Sequence, residues 1–221
     1  MNSITEKIYK LISHEVEIKD FEKWVYSEKA LEKLLTNDDY LELISLSYTT
    51  PSTLYEAEKI LKKYIKIEKY HEWYLRNLLK VIIERSNNVC KYIAETYDMY
   101  CSGYYFLDNL GIVYGLSIKV PHSCFNAQSW EELQLAEQTK LIDSFYPEIK
   151  KEAQKVIGWL DSKKIALTGH SGEYQGIEYE DNRTLKEKAS TSNTETIVQE
   201  NTMSTLSHFF SFLRKLFKIK S

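Results

Sequence analysis

The sequence predicts a mainly α-helical protein: a packed helical array carrying a small β-hairpin towards its C-terminal end, followed by a flexible linker and an amphipathic helix. Three observations lead there. Backbone breakers are scarce, with 7 Gly and 3 Pro in 221 residues, and few breakers favour long helices over a turn-rich sandwich. Apolar residues recur at helical spacing through most of the chain. The stretch from Tyr97 to Leu116, YDMYCSGYYFLDNLGIVYGL, holds five tyrosines and only two charges. It should therefore run through the middle of the domain. Gly103, Gly111 and Gly115 within it suggest a cap, a bend or a close backbone approach.

Taken in order, Ser3 and Glu6 form a capping box ahead of Ile4, Ile8, Leu11 and Ile12, which gives a short helix over about 4–14. Asp20 can cap a helix bearing Phe21, Trp24 and Val25, and Leu31, Leu34 and Leu35 stripe another. Residues 40–48, YLELISLSY, fit either period. Leu41, Ile44 and Tyr48 share a helical face and Asn37, Asp38 and Asp39 are good N-caps, so a helix is favoured, with a buried strand as the alternative. Thr53 and Glu56 suggest a second capping box before the stripe Leu54, Ala57, Ile60, Leu61, Tyr64 and Ile65. Trp73, Leu75, Leu78, Leu79, Ile82 and Ile83 mark a helix to about Arg85. Ser86, Asn87 and Asn88 interrupt it before Val89, Ile93 and Tyr97.

Lys119 to Ala127 reads as a loop. Ser129 with Glu132 suggests a third capping box, opening a helix through Leu133, Leu141 and Phe145. Pro147 stands where a new helix can begin, carrying Ile149, Ala153, Val156, Ile157 and Leu160 to about Asp161. Residues 165–168 and 174–179 read as strands joined through Gly169–Glu173. A lone hairpin is marginal, so it should lie on the helical body. Composition then divides the chain: residues 1–185 as a helical domain, 186–202 as a Ser/Thr/Asn/Glu-rich flexible linker, and 203–221 as a basic amphipathic helix. In the last, Leu206, Phe209, Phe210, Leu213 and Phe217 gather on one face and Arg214, Lys215 and Lys218 on the other. That helix has three readings: a last core helix, an adsorbed helix on an anionic membrane, or a ligand for a partner's groove.

Net charge is −3. Residues 203–221 contribute +4 and 186–202 contribute −1, leaving −6 on residues 1–185. A mildly acidic body argues against nucleic-acid binding and suits a basic partner. Three cysteines without a CxxC spacing read as free thiols of a reducing compartment. No segment approaches the roughly 20 apolar residues of a membrane span. The expectation is a cytoplasmic protein.

Chemistry is sparse. The histidines, His14, His71, His122, His170 and His208, never fall at HxxxH spacing. His122 with Cys124 would supply two metal ligands without a second pair. Gly169-His170-Ser171-Gly172 lacks the order of a nucleophile elbow. No catalytic residue, cofactor or metal is expected. Glu178, Glu180 and Asp181 give the hairpin an acidic end that could meet a basic partner.

Several segments resemble small bacterial immunity-type proteins that accompany polymorphic and contact-dependent toxins. Phe21-Glu22-Lys23-Trp24-Val25-Tyr26, Leu31-Glu32 and Tyr40-Leu41-Glu42-Leu43-Ile44-Ser45 resemble their opening. Tyr104-Tyr105-Phe106-Leu107, Leu110-Gly111 and Tyr114-Gly115-Leu116 look like their central block. Phe145-Tyr146-Pro147-Glu148-Ile149 and Trp159-Leu160 look like their later helices. The resemblance covers about residues 15–185 and leaves out the C-terminal helix. It implies a non-enzymatic cytoplasmic protein that binds a cognate toxin domain, such as a basic nuclease, and blocks it. The motifs are structural and transfer no binding residue. The candidate contacts are Tyr174, Glu178, Tyr179, Glu180 and Asp181. The competing reading is a peripheral membrane-associated helical protein anchored by 203–221.

Overall fold

The computed structural model describes residues 3–121, 125, 127–171 and 177–192. The chain is mainly α: eleven α-helices and one two-stranded antiparallel hairpin among the described residues. It divides into two compact units, Met1–Tyr74 and Leu75–Ser221, where the composition suggests one domain over 1–185.

The first unit contains α1 (Ser3–Ile12), α2 (Ile18–Ser27), α3 (Leu31–Leu34), α4 (Asn37–Ser45), α5 (Ser52–Leu61), a 3₁₀ turn (Lys62–Tyr64) and the start of α6 (Ile67–Glu84). Their stripes meet in a core of Ile8, Leu11, Phe21, Val25, Leu31, Leu43, Ala57 and Leu61. Residues 40–45 belong to the helix α4, which ends at Ser45 and leaves Tyr48 beyond it. Its N-cap is Thr36, whose hydroxyl accepts the Asp39 amide at 3.3 Å, rather than Asn37, Asp38 or Asp39. Asp39 is occupied elsewhere, by Lys63 at 2.7 Å and by the Tyr64 hydroxyl. The expected Thr53 capping box does not form. Thr53 lies inside α5, where its hydroxyl donates to the Ser47 carbonyl at 2.6 Å. Asp20 likewise lies inside α2, beyond its N-cap Glu17.

The second unit contains the remainder of α6, α7 (Val89–Cys101), a 3₁₀ turn (Tyr105–Leu107), a π-helix (Asn109–Gly115), α8 (Leu116–Lys119), a 3₁₀ turn (Trp130–Glu132), α9 (Leu135–Phe145), α10 (Glu148–Asp161), β1 (Ile165–Ser171), β2 (Ile177–Asp181) and α11 (Leu185–Ser192). The aromatic stretch is core, as its composition implies: Tyr104, Phe106, Leu107, Leu110 and Tyr114 are buried. Its second half is the π-helix, packed on α7. Glycines permit that packing. A Cβ on Gly111 would stand 2.9 Å from the Thr96 carbonyl oxygen, and one on Gly115 would stand 2.8 Å from the Ile93 carbonyl oxygen and the Tyr97 amide nitrogen. Between them, the buried Thr96 hydroxyl lies 2.6 Å from the Ile93 carbonyl and 2.8 Å from that of Leu110. Gly103 serves differently, taking a left-handed φ of 103° after α7.

Three boundaries depart from the sequence reading. The Ser129–Glu132 box is replaced by one at Gln134 and Glu137, so α9 begins at Leu135. The strands run longer than expected: β1 continues through Gly169 to Ser171, and β2, described from Ile177, continues past Tyr179 to Asp181, while the expected start at Tyr174 lies outside the described residues. Residues 185–192 form α11, so the first seven residues of the span whose composition suggests a linker, 186–192, are helical. The Thr184 hydroxyl accepts the Glu187 amide at 3.3 Å while Glu187 accepts the Thr184 amide at 3.0 Å. This reciprocal cap, with the ion pair Lys164–Glu187, holds a helix that composition alone does not support.

Candidate contact surface

Alternation along β2 divides the candidate residues between two faces. The pairs Ile165 with Asp181, Ala166 with Glu180 and Leu167 with Tyr179 fix the register. Tyr179 and Asp181 share one face; Glu178 and Glu180 share the other.

The Tyr179 face is committed to the protein itself. The Tyr179 ring meets Phe106 edge-on at 4.8 Å, and the backbone amides of Tyr105 and Phe106 bond to its hydroxyl. Burial raises its pKa, as does Asp181 nearby. Asp181 accepts Arg183 Nε at 3.0 Å and Nη2 at 2.9 Å, and Lys188 Nζ stands 3.4 Å away. The Arg183 guanidinium therefore holds the Asp181 carboxyl below its ordinary value. The Arg183 side chain is only 6% exposed, and its buried Nη1 has no hydrogen-bond partner among the described residues. The counterpart of that cation is the Trp159 indole face, 4.4 Å from Cζ. Lys155 covers the same indole at 5.4 Å and pairs with Glu152. Glu152 in turn accepts Asn109 Nδ2 at 3.2 Å, at the start of the π-helix. A continuous series of polar contacts thus ties the hairpin to α10 and the π-helix.

The other face is open. Glu178 and Glu180 are exposed, and neither forms an ion pair among the described residues. With Ala166, Leu167, Thr168 and Tyr179 they line a shallow depression. Two carboxylates two residues apart on a strand stand about 7 Å from each other, a spacing at which each can meet a separate cation. Tyr105, whose amide bonds to Tyr179, is itself 54% exposed and lies edge-on to Tyr100 at 5.7 Å.

Of the five candidate residues, the structure leaves Glu178 and Glu180 outward and spends Tyr179 and Asp181 on internal contacts, while Tyr174 lies outside the described residues. The candidate membrane or partner helix, with Leu206, Phe209, Phe210, Leu213, Arg214, Lys215, Phe217 and Lys218, also lies outside them, as do His122 and Cys124. Sequence reasoning missed Tyr105 as a surface residue and Arg183 as the hairpin's anchor. Neither had a local signal, since Tyr105 sits in the most apolar stretch and Arg183 finds Trp159 across 24 positions. Among the described residues, no group of three or more His, Cys, Asp or Glu side chains is placed to hold a metal ion, and no helix is long and apolar enough to cross a membrane. No family model, curated protein or solved structure matches the chain.

Proposed function

We propose that this chain is an immunity-type protein, which binds a cognate, positively charged toxin domain and neutralises it without catalysing a reaction. The observation that carries the reading is the division of labour in the hairpin. One face is fixed to the protein by Tyr179, Asp181 and Arg183, and the other presents Glu178 and Glu180, which form no ion pair among the described residues. A rigidly held pair of unpaired carboxylates gives electrostatic attraction to a basic surface with little ordering cost on binding. The acidic charge of residues 1–185 extends that attraction over distance and speeds encounter. The resemblance of the segments around Phe21–Tyr26, Tyr104–Leu116 and Phe145–Ile149 to immunity-type proteins supplies the partner class.

The test begins with the genes beside this one: where one encodes a large secreted protein with a variable C-terminal domain, that domain is purified and titrated with this protein. Tight binding that weakens about tenfold or more in E178K/E180K, and that falls as salt rises, agrees with the proposal. Absence of binding by the wild-type chain contradicts it.

A further inference from the structure

We infer that the free edge of β1 takes an extended strand of the toxin domain, one that carries Lys or Arg at alternate positions. This inference rests on the toxin-binding reading and deepens it, since it names how a basic partner meets Glu178 and Glu180.

The sheet has two strands, so each has one outer edge. The Asn182 amide donates to the Lys164 carbonyl at 2.7 Å. With the register, this makes Lys164 with Asn182 and Ala166 with Glu180 the hydrogen-bonded pairs. The N–H and C=O groups of Ile165 and Leu167 therefore point away from β2, and they make no backbone hydrogen bond among the described residues. The outer edge of β2 is guarded. Its Asp181 carbonyl accepts Lys188 Nζ at 3.1 Å, and its sequence, IEYED, holds three carboxylates. The sequence of β1, IALTGHS, has no Lys, Arg, Asp, Glu or Pro, the residues that keep a sheet edge from pairing with another chain. The register is regular from Ile165 to Leu167 and shifts beyond it, so the available edge is short and centred on Ala166.

Charge selects the strand. Alternate side chains of any strand stand about 7 Å apart, so the spacing of Glu178 and Glu180 is also that of alternate side chains on an added strand. Neighbouring strands lie about 5 Å apart, so a cation on the added strand reaches these carboxylates across a single residue of β1. Those residues are small. Ala166 is opposite Glu180, and Thr168 lies beside Glu178, donating from its hydroxyl to the Glu178 carbonyl at 3.1 Å. Both line the depression with the two carboxylates. The cations around the hairpin do not fill it. Arg183 and Lys188 are held by Asp181, and Lys164 by Glu187. Lys163 and Lys186 lie off the strands, in the turn before β1 and on α11. A second copy of the chain on this edge would bring two more carboxylates to the face and no cation. In strand addition, backbone hydrogen bonds supply affinity and the alternate side chains supply specificity.

The experiment uses the full chain and the toxin domain of the titration above, with amide hydrogen exchange followed residue by residue. In the free protein the Leu167 amide should exchange readily, while the Ala166 amide, inside the ladder, is protected. On binding, exchange at Leu167 should slow by about a hundredfold or more. L167P removes that outward N–H and leaves the ladder intact, and should bind about tenfold more weakly. If L167P melts early, A166R replaces it, because an arginine opposite Glu180 occupies the path of the incoming cation; it should also bind about tenfold more weakly. Binding that is lost in E178K/E180K while Leu167 exchange is the same free and bound overturns the added strand and leaves the toxin-binding reading in place. Leu167 protection in the chain alone that grows with protein concentration assigns the edge to a second copy and overturns it too. No binding by the wild type overturns both.

Discussion

Replacing Gly115 by Ala adds one methyl group at the tightest point of the second unit. Its Cβ would lie 2.8 Å from each of the Ile93 carbonyl oxygen, the Thr96 Oγ1 and the Tyr97 amide nitrogen. Contact without strain begins near 3.4 Å, so α7 and the π-helix must separate by about 0.6 Å. Two of the three atoms are backbone, so no side-chain rotation relieves the clash. Overpacking a dense site costs about 1–3 kcal/mol, and three simultaneous contacts place this one near the upper end. The higher helical propensity of Ala returns about 1 kcal/mol, leaving a net loss of about 2 kcal/mol. For a chain of this size that is a fall of about 4–8 °C in melting temperature. Gly158→Ala is the matched control. Gly158 lies within α10 with nothing inside 4 Å of its ideal Cβ, so the same methyl should stabilise by about 0.5–1 kcal/mol. Urea unfolding followed by tryptophan fluorescence measures both. A Gly115→Ala protein as stable as wild type, or a Gly158→Ala protein destabilised to the same extent, would refute the close-approach argument.

The same crossing predicts that Thr96→Val, which keeps the shape and deletes the buried hydroxyl between the Ile93 and Leu110 carbonyls, lowers unfolding free energy by about 1–3 kcal/mol in urea. The acid limb should report α11. Lys164, then the Thr184 amide and hydroxyl, hold the Glu187 carboxyl at about 2, below its ordinary 4.5. A depressed folded value means that the contribution is present above 4.5 and is lost as pH falls towards 2. Amide-exchange protection at the start of α11 should fall over that window in wild type and show no such step in Glu187→Gln. The alkaline limb runs the other way. Burial, with Glu152 and Glu148 nearby, pushes the Tyr114 hydroxyl up to about 12. Its neutral form is favoured in the fold, so that stability is present below pH 10 and is lost between 10 and 12. The urea midpoint should drop from pH 9 to pH 11, and by less in Tyr114→Phe.

Much of the fold was legible because long stripes leave little choice. Leu75, Leu78, Leu79 and Ile82 can share a buried face only in a helix, and α6 and α10 lie where their stripes place them. Capping was less legible, since several hydroxyls and carboxylates compete for each helix start. Thr53 gives its proton to Ser47 instead of capping, and Asp39 is drawn to Lys63 and Tyr64, which leaves the cap to Thr36. The π-helix had no sequence signal of its own. Gly111 and Gly115 announced a close approach, but Thr96, the residue approached, looked like any helical threonine. On the hairpin, the alternation Glu178, Tyr179, Glu180, Asp181 already separated an outer pair from an inner pair. What the sequence could not show was that Arg183 and Trp159 lie on the side of Tyr179 and Asp181, so that Asp181 also anchors the hairpin. The hydrogen bond from the Tyr26 hydroxyl to the Ile44 carbonyl joins α2 to α4 and lies beyond local pattern.

Neutralisation is the central claim, and a growth assay tests it most directly. A toxin domain encoded beside this gene is induced in a susceptible host, with and without this chain; a gene neighbourhood that encodes no such domain also counts against the claim. The account predicts arrest by the domain alone, growth restored by wild type, and restoration lost in an E178K/E180K chain that still folds. Arrest that persists in the presence of stably expressed wild-type protein would contradict it.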